Sequence, residues 1–436
     1  SYIWEVCGIE NYSNLCLDQN YFTINPLPEY HPDEIHITSY NENFYQQGIN
    51  ILDFESLGYS LAIDEYGNVI WFTDKNNFYN SKIISAELLN NGNFTGFSYG
   101  RGYEFTIDSE IIFETPGEFN VHHQISKTNS NTYFILDAEI EYHPCPDECN
   151  SEFSAFPIPW QGDRYIELND LGEVIWEWST FNGINLSEYN PYYAETYNGS
   201  IEFDWTHSNS ILYDPLSESI YISIRNLSRV ISIDYITGEI NWSLGESEYM
   251  ENPDFENEIG FSQQHSVQLT ENGNLIFFDN GRYQNPELSR CVEVAFNNQQ
   301  EPYLVWEHIL PDSMFTGSRG ECDRLPNGNT LITLTHVGKI FEVDINGNNV
   351  WEYTHTSDQV NNYWIARANK YSLDYFQNII LGDINGDEIL NILDIVLIIN
   401  MILYNEYSFV ADVNEDGFVN VLDVIIMANI LIGGLP

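Results

Sequence analysis

Short segments that alternate apolar and polar residues, broken repeatedly by Gly, Asn and Asp, fill the first 350 or so residues. One phrase recurs among them: an Asp, a turn with Gly, β-branched residues and then a Trp. The copies run from Asp64 through Gly67 to Trp71, Asp170 through Gly172 to Trp176, Asp234 through Gly238 to Trp242, and Asp344 through Gly347 to Trp351, with an eroded copy ending at Trp306. Asp and Gly suit a tight hairpin, and the strand that follows can bury its Trp between neighbouring sheets. Repeats of this rhythm predict a mainly β fold of radially arranged four-stranded blades. With a divergent stretch from Phe105 to Phe113, the copies predict a roughly six-bladed β-propeller.

Each unit also opens on a polar residue that leads through a turn into an apolar strand. His123 leads to Tyr133, His207 to Ile220, His265 to Leu275 and Cys322 to Leu331. Equivalent places in successive blades surround one central channel, so His207, His265 and one of His122 and His123 are expected to converge. Adjacent strand residues point to opposite faces, which predicts that only one of His122 and His123 faces the channel. A lone strand histidine is ordinarily structural; repetition at equivalent places is what points to chemistry.

Composition sharpens the picture. The 436 residues suit a large domain with a small one, and the 15% aromatic content, including 30 Tyr, favours strands. With 66 acidic residues against 14 Lys and Arg, the formal charge is -52, which repels nucleic acid and anionic membranes. Such acidity suits a salty medium, where screening tames self-repulsion, and it equally serves solubility. Six of the few cations, Arg225, Arg229, Arg282, Arg290, Arg319 and Arg324, lie close in sequence to His207 and His265. Clustered guanidinium groups suggest a local anion site, with Arg229 and Arg290 expected to pair with carboxylates instead. No apolar run reaches the roughly 20 residues of a membrane span. The chain begins at Ser1, consistent with a removed signal peptide or with trimming. The six cysteines form three local sets, Cys7 with Cys16, Cys145 with Cys149 and Cys291 with Cys322. An even count suits disulfides and an extracellular location. A metal site at His143, Cys145 and Cys149 is the alternative, although Pro144 and Pro146 favour a cross-linked loop.

The segments around Asp204, His207 and Asn209, around Ser223 and Arg225, from Thr237 to Gly245, and from Phe261 to His265 carry a more specific signal. With Phe278 to Gly281 and Ser289 to Glu293, they resemble the arylsulfotransferase family over roughly residues 50 to 355. The resemblance implies transfer of a sulfuryl group from a phenolic sulfate ester to another phenol, through a sulfated histidine and without a nucleotide cofactor. Carried over residue by residue, it makes His265 the nucleophile and puts His207, Asn209 and Arg225 around the sulfuryl oxygens. His122 or His123 completes the site. A neutral imidazole is a competent nucleophile, and splitting the transfer into two steps avoids bringing both phenols together at once.

After residue 376 the pattern changes. Two loops follow, with oxygen side chains at positions 1, 3, 5, 9 and 12 and a backbone carbonyl at 7, as a calcium site requires. The first has Asp383, Asn385, Asp387, Ile389, Asn391 and Asp394; the second has Asp412, Asn414, Asp416, Phe418, Asn420 and Asp423. These predict two Ca2+ sites, the first weakened by Glu388 where a Gly is usual. The duplicated loop with its short apolar helix resembles a type I dockerin, which implies a cohesin partner. Ile392, Leu393, Val421 and Leu422 would form an apolar docking face; the other reading is that they pack the two helices together.

The chain thus divides into an N-terminal extension over 1–48, a propeller over 49–376 and a calcium module over 377–436. The expected function is a secreted sulfotransferase acting on aryl sulfates and phenols, tethered by its dockerin. Two other readings are a binding propeller without chemistry, and a structural subunit joined head-to-tail to another copy through Ile392, Leu393, Val421 and Leu422. A head-to-tail contact of that kind generates an open filament unless it closes.

Overall fold

The recurrent phrase folds as the outer hairpin of a blade. Asp64 Oδ1 accepts from the backbone N–H groups of Tyr66 (2.9 Å) and Asn68 (2.8 Å), Gly67 turns the chain at φ +83°, and Val69–Phe72 follows as the outer strand. Asp344 repeats this on Asn346 and Asn348. In the third blade the residue that closes the turn is Asn169, bonded to Leu171 and Glu173, rather than Asp170. Asn can fill the same acceptor role, and the true repeat therefore starts one residue earlier.

The computed structural model describes residues 2–10, 13–22, 35–89, 91–149, 152–153, 156–199, 201–246, 249–250, 255, 258–297, 301–355, 364–372, 381–384, 389–404, 410–414 and 418–431. It divides into two units, Ser1–Glu34 and Ile35–Pro436. In the first, Tyr2–Glu10 and Ser13–Phe22 form an antiparallel hairpin that sets Cys7 opposite Cys16 along the backbone; the expected disulfide there lies outside the described side chains.

The second unit contains a six-bladed propeller. Its innermost strands are Ile84–Leu88, Val121–Lys127, Ser208–Asp214, His265–Leu269, Glu321–Arg324 and Ile365–Tyr371, each beside the next around the channel. The ring closes from both ends of the unit. Ile365–Tyr371 pairs with Ile49–Phe54 as the innermost strand of the first blade, while Ile35–Tyr40 pairs with Asn349–His355 as a fifth, outermost strand of the last.

The core lies between blades. Ile84, Phe97, Phe113 and Tyr133 join the second to the third, and Tyr165, Trp205, Ile222 and Ile231 the third to the fourth. At about 25 cal/mol per Å² of apolar area removed from water, these seams hold the ring together. The repeat tryptophans staple the rims. The indole N–H of Trp71 donates to Ile107 O (2.7 Å), Trp176 to Tyr235 O (2.9 Å), Trp306 to Ile345 O (3.2 Å) and Trp351 to Glu65 O (2.9 Å), each in the next blade. Trp351 is fully buried, whereas Trp71, Trp176, Trp242 and Trp306 keep part of their rings in solvent, because the rim strands lie at the outer edge.

Disulfides join Cys145 to Cys149 and Cys291 to Cys322. The first overturns the metal alternative at His143, Cys145 and Cys149: both sulfurs are bonded to each other, and His143 Nε2 pairs with Glu141 (2.8 Å). Beyond the propeller, the helices Ile392–Tyr404 and Val421–Leu431 pack through Ile395, Ile398, Ala411 and Met427.

Candidate active site

Five of the six innermost strands depart from regular pairing near their start, with register shifts after Ile84, Val121, Ser208, His265 and Ile365. A bulge re-aims side chains, and left-handed φ values mark the places: Ser85 +58°, His123 +58°, His207 +51° and Ser266 +55°. The expectation that only one of His122 and His123 faces the channel fails for this reason. Strict alternation does not survive a left-handed residue, and both imidazoles join one cluster.

His123 is the hub of that cluster. Its ring centroid lies 5.0 Å from His122, 5.2 Å from His207 and 6.1 Å from His265. Two carboxylates, the buried Asp163 and the partly exposed Asp204, orient the flanking rings. His122 Nε2 is 3.1 Å from Asp163 and its Nδ1 is 2.7 Å from His123 Nδ1, while His207 Nδ1 bonds Asp204 at 2.7 Å. Burial alone would raise the Asp163 carboxyl, but bonds from His122, Thr206 and the Ser208 amide hold it below its ordinary range. Asp204 likewise sits low against its burial, through His207, Asn226 and Arg225. His123 is pushed well below the ordinary imidazole range, first by burial and then by the neighbouring imidazoles and the Arg319 guanidinium, beside which a further positive charge is disfavoured.

His265 differs from the others. Its Nδ1 lies 2.9 Å from the carbonyl oxygen of Gly320. A carbonyl can only accept, so Nδ1 carries the proton and Nε2 the lone pair. Nε2 is buried and has no hydrogen-bond partner among the described residues. Burial, then Arg367 and Arg319, drive its pKa well below the usual value.

Arg225 approaches from the fourth blade, with Nη1 on Tyr193 Oη and Asn226 Oδ1 (both 2.9 Å) and Nε buried without a partner among the described residues. Asn209 lies in the same neighbourhood but is engaged with backbone. Its Nδ2 donates to Gln264 O (2.8 Å) and its Oδ1 accepts from Ser266 N (3.2 Å), the residues on either side of His265. Of the six clustered arginines, Arg229 pairs with Glu188 and Arg290 with Asp279 and Glu307, as expected. Arg319 pairs with Glu55 and Arg324 with Glu293.

Sequence reasoning missed Asp163, Gly320, Arg367 and Tyr193, which reach the site from distant segments with no local motif. Asp204 was findable, three residues before His207.

In the C-terminal module the two loops share one bonding pattern. Asp394 accepts from the amides of Ile384 (3.0 Å) and Asn391 (2.8 Å), and Asp423 from those of Asn414 (3.3 Å) and Asn420 (2.8 Å). Asn391 and Asn420 use Oδ1 to cap the following helix at Leu393 and Leu422, and Nδ2 to bond the carbonyls of Ile389 and Phe418. Asp383 and Asp412 are described; Asn385, Asp387, Glu388 and Asp416 lie outside the described residues. Among the described residues no group of three or more His, Cys, Asp or Glu is assembled to hold a metal ion. Ile392, Leu393, Val421 and Leu422 are each more than half exposed, which removes the reading that they pack the helices together. No helix of the described residues is long and apolar enough to cross a membrane.

The model of the family described as arylsulfotransferase (ASST) matches residues 23–377, and that of the dockerin type I domain matches residues 381–432. No curated protein matches the sequence. Similar solved structures include a protein of unknown function from Bacteroides caccae, at 11% identity over 74% of this chain and 99% of that one, with a TM-score of 0.46. A streptogramin B lyase is similar at 9% identity over 78% and 98%, with a TM-score of 0.44.

Proposed function

Since the chain belongs to the arylsulfotransferase family and carries a type I dockerin domain, we propose that it transfers sulfuryl groups between phenolic compounds through a sulfated His265, tethered outside the cell by its dockerin. The observation that carries the reading is the setting of His265: its Nδ1 is held by the Gly320 carbonyl, its Nε2 is buried without a partner among the described residues, and the His123 ring lies 6.1 Å away.

In the first half-reaction Nε2 of His265 forms an N–S bond as the S–O bond to the donor phenol breaks, and the electron pair leaves on the phenolic oxygen. In this reading His207, backed by Asp204, gives that oxygen its proton; in the second half-reaction it takes the proton of the acceptor phenol as that oxygen forms the new S–O bond and the N–S bond breaks, its electron pair returning to Nε2 of His265. Arg225 supports the non-bridging oxygens through its unpartnered Nε. Asn209 acts by fixing the backbone around His265 rather than by touching sulfuryl oxygen.

Dockerin loops take calcium. The carboxylates of Asp383 and Asp394 in one loop and of Asp412 and Asp423 in the other, with the carbonyls of Ile389 and Phe418, make a hard oxygen set suited to one Ca2+ each. The disulfides fit an oxidising, extracellular setting, and the apolar face at Ile392, Leu393, Val421 and Leu422 fits a cohesin.

The test is release of nitrophenolate from 4-nitrophenyl sulfate with phenol as acceptor. Wild type should turn over, and His265→Ala should lose all transfer with an unchanged melting temperature. Wild-type rates in that variant would remove His265 as nucleophile.

A further inference from the structure

In a chain with 66 acidic residues, a guanidinium without a carboxylate is rare. Of the nine arginines, seven pair with Asp or Glu; among the described residues only Arg225 and Arg282 do not. Both approach Gly317, in the segment before Gly320. Arg225 Nη2 reaches Gly317 O at 3.4 Å, and a Cβ placed on Gly317 would lie 3.8 Å from Arg282 Cδ. Arg282 has no side-chain hydrogen bond among the described residues; its guanidinium lies 5.2 Å from the Tyr283 ring.

The loop that presents Arg282 is built rather than loose. Asn280 Nδ2 donates to Thr316 O (2.6 Å) and Arg319 O (2.8 Å), Ser289 Oγ to Thr316 O (3.2 Å), and Ser262 Oγ to Arg282 O (2.6 Å). Gly281 sits at φ +60°, where a Cβ would meet Leu288 O at 1.8 Å. Beside Arg282 lies an aromatic platform, with Tyr283 4.9 Å from Tyr192, Tyr192 5.4 Å from Tyr193, and Tyr193 bonded to Arg225. Three phenol rings, those of Tyr283, Tyr192 and Tyr193, thus run in sequence from Arg282 to Arg225, meeting at 46° and 84°. A ligand ring can stack on one member of such a row and meet the next edge-on, with a charge-binding group at each end.

We propose that Arg282 forms a second anion-binding position, and that the rings this protein takes carry an anionic group in addition to the sulfuryl group. This rests on the reading above for the sulfuryl end. Within a strongly negative surface, a guanidinium not paired with a carboxylate gives a local attraction that the bulk charge otherwise opposes. Its worth depends on a partner supplying the missing oxygens, and a carboxylate or a second sulfate on the ring does so.

Arylsulfonates test the site without chemistry, because their sulfur is bonded to carbon and cannot be transferred. Calorimetric binding to the full chain would compare benzenesulfonate with 3-sulfobenzoate and 4-sulfobenzoate. At least one sulfobenzoate should bind about tenfold more tightly than benzenesulfonate. Arg282→Gln should abolish that preference while leaving benzenesulfonate affinity unchanged, Arg282→Lys should keep part of it, and added salt should shrink it. Equal affinity for all three ligands in wild type, no binding of any, or a preference that survives Arg282→Gln would overturn the proposal. A preference that behaves as expected in a protein with no transfer from 4-nitrophenyl sulfate would leave the anion position standing and sink the catalytic reading alone.

Discussion

His265 is kept uncharged by its surroundings, and that has a readable consequence. Burial comes first, Arg367 and Arg319 follow, and the bond to Gly320 only partly opposes them, so its pKa lies well below about 6.5. A lowered imidazole pKa means the lone pair persists as pH falls. The value of kcat/KM for transfer should therefore stay level through pH ~6.5 and decline only in more acid solution; a half-maximum at or above that point would contradict the assignment. Linkage has the same sign for stability: below pH ~6.5 the unfolded chain takes protons that His265 and His123 refuse in the fold, so stability is lost as pH drops. Glu321 supports the same residue from behind. Its Oε1 accepts from Ser266 Oγ (2.6 Å) and Gln268 Nε2 (3.1 Å) and faces Arg367 Nε at 3.1 Å, while the preceding Gly320 holds His265 Nδ1. Glu321→Gln should lower kcat with little change in KM and cost about 1–3 kcal/mol in urea unfolding. A change in KM alone would remove its positioning role. The histidines were legible in the sequence because they recur at equivalent places in three successive blades. Asp163, Gly320 and Arg367 were not, since long-range pairing brings them in and no spacing announces it.

At the scale of elements, the hairpin phrase was legible because its Asp and Gly answer to local turn geometry, which needs no partner. The bulges at the channel were not: His123, His207 and Ser266 take left-handed φ although nothing in residue type requires it, and the neighbouring blades hold them there. The tryptophan staples allow a graded test. Trp351→Phe keeps a buried ring but orphans the Glu65 carbonyl, and should cost about 1–3 kcal/mol. At Trp306, where the bond to Ile345 is exposed, water can replace the donor, and Trp306→Phe should cost under about 1 kcal/mol. Equal losses in urea titrations would mean that ring packing, not the indole N–H, does the stapling. In the calcium module, Leu393→Asp with Leu422→Asp should abolish cohesin capture and leave the helical signal intact, since neither side chain belongs to the module's core. Unimpaired capture would move the docking face elsewhere.

For the whole molecule, the propeller and the dockerin domain have separate cores. Calcium removal should melt only the helices Ile392–Tyr404 and Val421–Leu431, because binding free energy there is folding free energy. Calorimetry in chelator should then keep the main transition and lose a smaller one; a single transition that shifts as a whole would contradict this. The blade count was legible from the repeats, but the closure was not: Ile365–Tyr371 carries no Asp–Gly–Trp phrase, and only the ring's need for a sixth innermost strand explains its place. That closure also has a mechanical side. The dockerin domain follows Ile365–Tyr371 along the chain, so a pull applied through it would pass down the backbone to Tyr371 and load its ladder with Ile49–Phe54 before any other in the propeller. Tension strong enough to strip this strand would withdraw Arg367 from Glu321 and open the ring, while the Cys145–Cys149 and Cys291–Cys322 bonds and every other covalent bond stayed whole.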